Sequence, residues 1–108
     1  MNTLRNKVQL IGNLGNNPEI IILDTGKKIA KFSLATNESY KNTQGEKVTD
    51  TQWHNIIAWN KTADVIERYL KKGAEIAIEG RLTSRSYENA EGVKKHVTEV
   101  VCNNFLIF

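Results

Sequence analysis

One cysteine, one proline, one methionine and two histidines are all that the sequence holds of those residues, and each scarcity closes off a class of protein. Cys102 has no partner for an internal disulfide, and no N-terminal apolar run reaches the length of a signal peptide or a membrane span, so a reducing cytoplasm is the expected compartment. His54, His96 and Cys102 lack metal-ligand spacing, and neither a phosphate loop nor a nucleophile–base motif is present. No enzyme, no metal and no cofactor is expected. A lone Pro18 and only seven glycines argue against a disordered or linker-rich chain, and there is no internal repeat or low-complexity segment. A large excess of one charge sign is also missing. Fifteen basic residues against 12 acidic ones leave a net charge of +3, a lean towards an anionic partner that many proteins without one share.

What is there fits one soluble domain over residues 1–108, with 40% hydrophobic and 25% charged residues and length for one modest core but not two. Val8 and Leu10, then the apolar run from Ile20 to Leu23, bracket a turn-rich stretch from Gly12 to Pro18. They read as a strand, a turn and a second short extended piece, closed by a hairpin at Asp24-Thr25-Gly26. From Ala30 a period of two sends Ala30, Phe32, Leu34 and Thr36 inwards and Lys31, Ser33 and Ala35 outwards. Residues 38 to 49 are polar and predict a long hairpin loop before an extended run from Thr51 to Trp59. One segment reads as helix: Thr62 to Lys72 spaces Val65, Ile66, Tyr69 and Leu70 by three and four, with Lys71 and Lys72 towards its end and Gly73 at the cap position. Tyr69 is therefore expected in the core. Glu75 to Tyr87 alternates again, and Val97 to Phe105 is a last β-rich run after an Asn89-Ala90-Glu91-Gly92 turn. The fold class expected is all-β: a helix between the third and fourth of five antiparallel strands is the order of the OB-fold, a Greek-key barrel that serves oligonucleotide and oligosaccharide binding.

The aromatic residues carry the functional argument. Trp53 and Trp59 share parity on one strand with Asn55 and Ile57, opposite a row of His54, Ile56 and Ala58 suited to a barrel interior or a subunit contact. Burying both indoles would crowd a small core while smaller aliphatic residues faced water, whereas exposing them calls for a function. On the strand from Glu75, Arg81, Arg85 and Tyr87 lie on the parity opposite Ile76 and Ile78. The two guanidinium groups can neutralise phosphates or stack on bases. Tyr40 in the expected loop adds a fourth ring, and Lys7, Lys61, Lys71 and Lys72 are further candidates for backbone contacts. Rings among cations on a barrel surface select unpaired strands, because a duplex hides the base faces that stack on aromatic side chains.

A run of ordered matches then emerges: Asn6-Lys7-Val8, Gly12-Asn13-Leu14-Gly15, Pro18-Glu19, Leu34-Ala35-Thr36, Glu38-Ser39-Tyr40, Trp53-His54, Tyr69-Leu70, Lys72-Gly73, Glu79-Gly80 and Thr98-Glu99-Val100-Val101. Spread over nearly the whole chain, they resemble the DNA-binding domain of bacterial single-stranded DNA-binding proteins. The resemblance implies an OB-fold, usually a homotetramer, that coats single strands without sequence preference in replication, recombination and repair, and so a place among the nucleoid DNA of a bacterial cytoplasm. It places the stacking rings at Tyr40, Trp53, Trp59 and Tyr87, the cations at Lys7, Lys61, Lys71, Lys72, Arg81 and Arg85, a subunit-contact histidine at His54, and the dimer strand around Leu4 to Ile11. Tyrosine stands at positions 40 and 87, where the family frequently has tryptophan, and Asn55 stands where it commonly has a basic residue. The family pattern continues into a flexible linker and an acidic tip that recruits partner enzymes, whereas the sequence closes on Asn103-Asn104-Phe105-Leu106-Ile107-Phe108. Either the protein is tail-less or its domain stands here without the tail, so partner enzymes of that type are not expected from these residues. Two other readings use the same barrel. In an accessory protein of replication restart the tryptophans would bury against a polypeptide, and in an oligosaccharide binder Arg81 and Arg85 would have no role.

Overall fold

The computed structural model describes residues 4–108. Six strands and one helix follow in the order β1 (Val8–Leu14), β2 (Glu19–Ile22), β3 (Lys28–Lys41), β4 (Lys47–Trp59), α1 (Asn60–Tyr69), β5 (Glu75–Glu88) and β6 (Lys94–Ile107). They form one sheet in the order β1-β5-β6-β4-β3-β2, and β1 also pairs with β3. That extra pairing, Asn13 with Ala35 and Leu14 with Leu34, closes β1, β3, β4, β6 and β5 into a five-stranded barrel. The short β2 pairs with β3 alone, outside the closure. Counted along the chain the helix therefore falls between the fourth and fifth strands, while among the five barrel strands it follows the third. One expectation is corrected: β4 and β6 run parallel, with Ile56 beside Val100 and Ile57 beside Val101. The crossover through α1 and β5 brings β6 back in the direction of β4, so the sheet is mixed rather than wholly antiparallel.

Alternation fills the barrel. Phe32 and Leu34 from β3, Ile56 and Ala58 from β4, Ile76 and Ile78 from β5, and Val100 and Cys102 from β6 form one buried cluster with Leu14. Two glycines permit the strand crossings. A Cβ on Gly12 would overlap the Ala35 carbonyl where β1 passes from β5 to β3, and one on Gly80 would overlap the Val101 carbonyl. The second contact lies at the register shift in the β5–β6 ladder between Glu79 and Gly80, where a bulge lets the sheet bend.

The helix closes one end of the barrel through Ala63, Ile66 and Leu70, all buried and spaced three and four apart. Lys28 fastens it to the start of β3, its Nζ donating to Asp64 Oδ1 at 2.8 Å and to Glu67 Oε1 at 2.5 Å. The two carboxylates raise the Lys28 pKa above its ordinary value. This face overturns the expected one. Tyr69 is 61% exposed and Val65 is also exposed, because small Ala63 allows the closest approach and turns the line through Ile66 and Leu70 inwards. The helix also ends at Tyr69 rather than Lys72. Its last N–H bond runs from Leu70 to the Ile66 carbonyl, and Leu70 is already extended. Lys71 and Lys72 thus belong to the following turn, and Gly73, at φ +90, serves that turn rather than the cap.

A further correction concerns residues 38 to 49, of which 38–41 and 47–49 pair and only 42–46 turn. β3 and β4 stay in register from Ile29–Trp59 out to Lys41–Lys47, and β5 and β6 likewise extend out to Glu88–Lys94. Two ribbons therefore leave the barrel, and both are closed by the same turn. Asn42 Oδ1 accepts from the Gln44 and Glu46 N–H groups, and Asn89 Oδ1 accepts from those of Glu91 and Val93, at 2.9–3.0 Å. Gly45 and Gly92 take the left-handed conformation that each turn requires. Leu82 shares the parity of buried Ile76 and Ile78 on β5 and stands opposite buried Val100, yet it is 47% exposed, because it lies past Gly80, the last β5 residue that β1 pairs with.

Candidate nucleic-acid interface

The outer face of β4 holds both indoles clear of the core, Trp53 at 61% and Trp59 at 38% exposure. Cross-strand pairing lays out the surface around them. Ala35, Ser33, Lys31 and Ile29 of β3 stand opposite Trp53, Asn55, Ile57 and Trp59. On the far side β6 presents Val101 beside Ile57, and Arg81 of β5 stands opposite Val101. Ile57 is buried between these neighbours, so the face has an apolar floor flanked by Lys31 and exposed Arg81.

Trp53 lies against a backbone prepared for it. A Cβ on Gly15 would fall on ring atoms Cζ3 and Cη2 of the indole, so the ring edge occupies the space that a side chain at 15 would need. Ala35, expected to face outwards, is buried in this region. The segment carrying Gly15 is strapped down on two sides. Gly15 N–H donates to the Ser33 carbonyl and Ser33 N–H to Asn16 Oδ1, both at 2.8 Å. Lys72 N–H donates to Asn17 Oδ1 at 2.8 Å and Gly73 N–H to the Leu14 carbonyl at 2.9 Å. Those bonds dock the turn that carries Lys71 and Lys72, both exposed, onto the loop beneath Trp53. Lys61, exposed as well, lies two residues beyond Trp59 at the start of α1.

The tyrosines divide. Tyr87, 48% exposed, shares parity with Arg81 and Arg85 on β5 and stands opposite Lys95. Tyr40, 55% exposed, is of the same parity as Phe32 and Leu34 and stands opposite Val48. It therefore sits on the other side of its ribbon from Trp53 and is not brought into one row with the indoles. The cations divide too. Arg85 Nε donates to Glu99 Oε1 at 3.0 Å, and its guanidinium carbon lies 5.9 Å from the centroid of the Tyr87 ring. Glu99 holds the Arg85 pKa above its ordinary value. Lys7 Nζ lies 3.5 Å from Glu79 Oε2. Neither Lys7 nor Arg85 is thus an isolated charge.

Sequence reasoning passed over three participants. Glu99 is 7% exposed and the buried charged residue of this face, and its relation to Arg85 emerges only from the β5–β6 register. Asn16 and Lys31, together with Ser33, Asn55, Arg85 and Glu99, line a polar groove of about 300 Å³. No pattern within one strand announces it. His54, expected to face the interior or a subunit contact, is half-buried and shares a 3.0 Å hydrogen bond between its Nε2 and Thr36 Oγ1. Among the described residues no group of His, Cys, Asp and Glu is placed to hold a metal ion, and no helix is long and apolar enough to cross a membrane.

A closed, helix-capped Greek-key barrel with aromatic rings set outwards among cations defines an OB-fold protein. The chain belongs to the Single-strand binding protein family, whose model matches residues 5–108. A single-stranded DNA-binding protein 1 of Chlorobaculum tepidum is 48% identical over 100 residues, 92% of this chain and 62% of that protein. One from Neisseria meningitidis serogroup A is 40% identical over 98 residues, 91% of this chain and 56% of the relative. The chain thus spans about three fifths of the length of these curated relatives. Among solved structures, a Plasmodium falciparum SSB in complex with ssDNA superimposes with a TM-score of 0.86 at 35% identity, covering 100% of this chain and 99% of that one. A deletion mutant of the single-stranded DNA binding protein from Thermus aquaticus gives 0.82 at 27% identity, over 95% of this chain and 50% of that one. A family of non-enzymatic DNA-binding proteins accords with the lack of catalytic constellations in the sequence.

Proposed function

We propose that the chain binds and protects single-stranded DNA without sequence preference, in replication, recombination and repair. Trp53, Trp59, Tyr87 and Tyr40 supply stacking planes, and Lys7, Lys61, Lys71, Lys72, Arg81 and Arg85 supply the cationic surroundings. The observation that carries this reading is the exposure of Trp53 and Trp59 on one outer face of the barrel, over an apolar floor and beside Arg81 and Lys31. A solvent-facing indole accepts an unstacked base at about 1–3 kcal/mol per base, and any base will do because each has a π-face. The whole protein acts in this reading as a homotetramer on the nucleoid DNA of the cytoplasm. Two features support assembly. Val8 to Gly12 pair with β5 on one edge, while β3 meets β1 only at Asn13 and Leu14, so the other edge of Val8–Gly12 has no strand partner among the described residues. Beside it, Ile11 and Leu106, 61% and 62% exposed, flank a groove of about 470 Å³, and Phe108 at 65% exposure extends the apolar strip.

The test is quenching of tryptophan fluorescence on titration with oligo-dT, with the same length of duplex as control. Quenching by the single strand alone is expected, with a slope of log affinity against log salt of about −0.7 for each phosphate neutralised. Equal response to duplex, or no response, would refute the reading. Light scattering should give a mass four times the 12.2 kDa of the chain, and a monomer would refute the assembly.

A further inference from the structure

We infer that Glu99 is a positioning residue which converts Arg85 from a phosphate contact into part of a stacking surface with Tyr87. The inference rests on the proposed single-strand face and assigns a role within it. Arg85 and Tyr87 are two residues apart on β5, on one side of the ribbon, with Val97 and Lys95 opposite them on β6. Glu99 stands one pleat further along β6, opposite Thr83, at the diagonal position that long side chains span. Its carboxylate is buried while the Arg85 side chain is 52% exposed, so the acid is committed to the guanidinium and the guanidinium remains available to a ligand. The bond at Nε holds the planar group from its inner edge, and the guanidinium carbon lies 5.9 Å from the Tyr87 ring centroid.

Two consequences follow for binding. The pair carries no net charge, so Arg85 releases few counterions from a bound strand, unlike the exposed Arg81. A guanidinium fixed by a buried acid is a flat, weakly hydrated plane that loses little freedom when a base settles on it. Lysine could pair with Glu99 but offers no plane. The groove that Arg85 and Glu99 line with Asn16, Glu19, Lys31, Ser33 and Asn55 leaves room for a base edge against the polar groups while its face rests on the guanidinium.

The experiment measures oligo-dT affinity as a function of salt for the full chain and for Arg85→Lys, Glu99→Gln and the double variant Arg85→Ala/Glu99→Gln, with thermal melting to show that each is folded. Arg85→Lys and the double variant both keep the pair without net charge and are expected to weaken binding by about five- to thirtyfold, with the salt slope unchanged to within about 0.2. Glu99→Gln is expected to steepen the slope, because the released guanidinium then meets a phosphate. A slope flattened by about 0.7 in the double variant, or affinity as in the unmodified chain for Arg85→Lys, would overturn the assignment while leaving the face intact. An unchanged slope and affinity in Glu99→Gln would overturn it as well. If a variant carrying Glu99→Gln does not fold, Arg85→Lys decides. Failure of the unmodified chain to bind oligo-dT would overturn the assignment together with the reading of the face.

Discussion

Replacing Gly15 by alanine isolates the placement of one ring from its presence. The added Cβ would overlap Trp53 Cζ3 and Cη2. The backbone at 15 has little room to retreat, since it is bonded to Ser33 and flanked by the Asn16 side-chain bond to the same residue. The indole must therefore swing away. The ring hides about two fifths of its surface, being 61% exposed, and an aromatic side chain offers about 150–250 Å², so at about 25 cal/mol per Å² the hidden part is worth at most about 2.5 kcal/mol of stability. The lower chain entropy of alanine in the unfolded state returns about 0.4–1 kcal/mol. The fold should survive. Binding should lose most of one stacked base, about 1–3 kcal/mol or roughly five- to 150-fold in affinity. Oligo-dT titration of Gly15→Ala, Trp53→Ala and the double variant gives the measurement, and coupling is the signature: once the indole is gone, Gly15→Ala should change affinity by less than about 0.5 kcal/mol. If alanine at 15 weakens binding equally with and without the indole, or not at all, the reasoning fails.

Tyr69→Ala should shift stability in urea by no more than about 0.5 kcal/mol, as for other exposed positions, whereas Ile66→Ala on the inward line should cost about 2–5 kcal/mol; similar losses would restore Tyr69 to the core. Burial raises the Cys102 thiol from 9.0 to about 11. Below the ordinary value both states keep the proton. Between there and pH 11 the unfolded chain alone releases it, so stability falls as pH rises, by about 2 kcal/mol at pH 10.5. Urea unfolding of the unmodified protein against Cys102→Ala at pH 8 and pH 10.5 isolates this loss, and equal pH dependence of the two proteins would refute it.

The barrel was legible where burial has a single side. Ala30, Phe32 and Leu34 alternate as expected because core lies on one face of β3 and solvent on the other, and the same logic marked Trp53 and Trp59 as outward. Legibility ended where that condition ended. The polar residues 38 to 41 and 47 to 49 read as loop because a ribbon with water on both faces has no hydrophobic period to display, although its ladder is complete. Tyr69 misled because a spacing of three and four fits two lines on a helix, and the choice fell to Ala63, whose small side chain allows the approach to the barrel. The division of the cations into paired and unpaired could not be read at all. Glu99 and Arg85 are 14 residues apart, and a register shift of one residue would have put them on opposite faces.

The four rings are not equivalent in how they are held, and that difference bears on affinity. Trp53 rests on the strapped Gly15 segment. Trp59 stands at the junction of β4 and α1, where Lys28 N–H bonds to Asn60 Oδ1 at 3.2 Å and the Lys28 ammonium ties strand to helix. Both therefore project from the closed part of the barrel, with their backbones ordered before any strand arrives. Tyr40 and Tyr87 stand on ribbons whose stability beyond the barrel comes from their own ladder and one Asn–Gly turn each, and an isolated two-stranded ribbon is marginal in water. A base stacked on a ribbon ring must offset the ordering of that ribbon, whereas a base on either indole need not. Arg85 alters the account for one of the two, since its ion pair with buried Glu99 fastens the Tyr87 ribbon across both strands, whereas the Tyr40 ribbon is crossed by the uncharged bonds Ser39–Thr49 and Thr51–Asn37. The stacking contribution should accordingly descend from the indoles through Tyr87 to Tyr40, an order set by preorganisation of the backbone rather than by ring size alone.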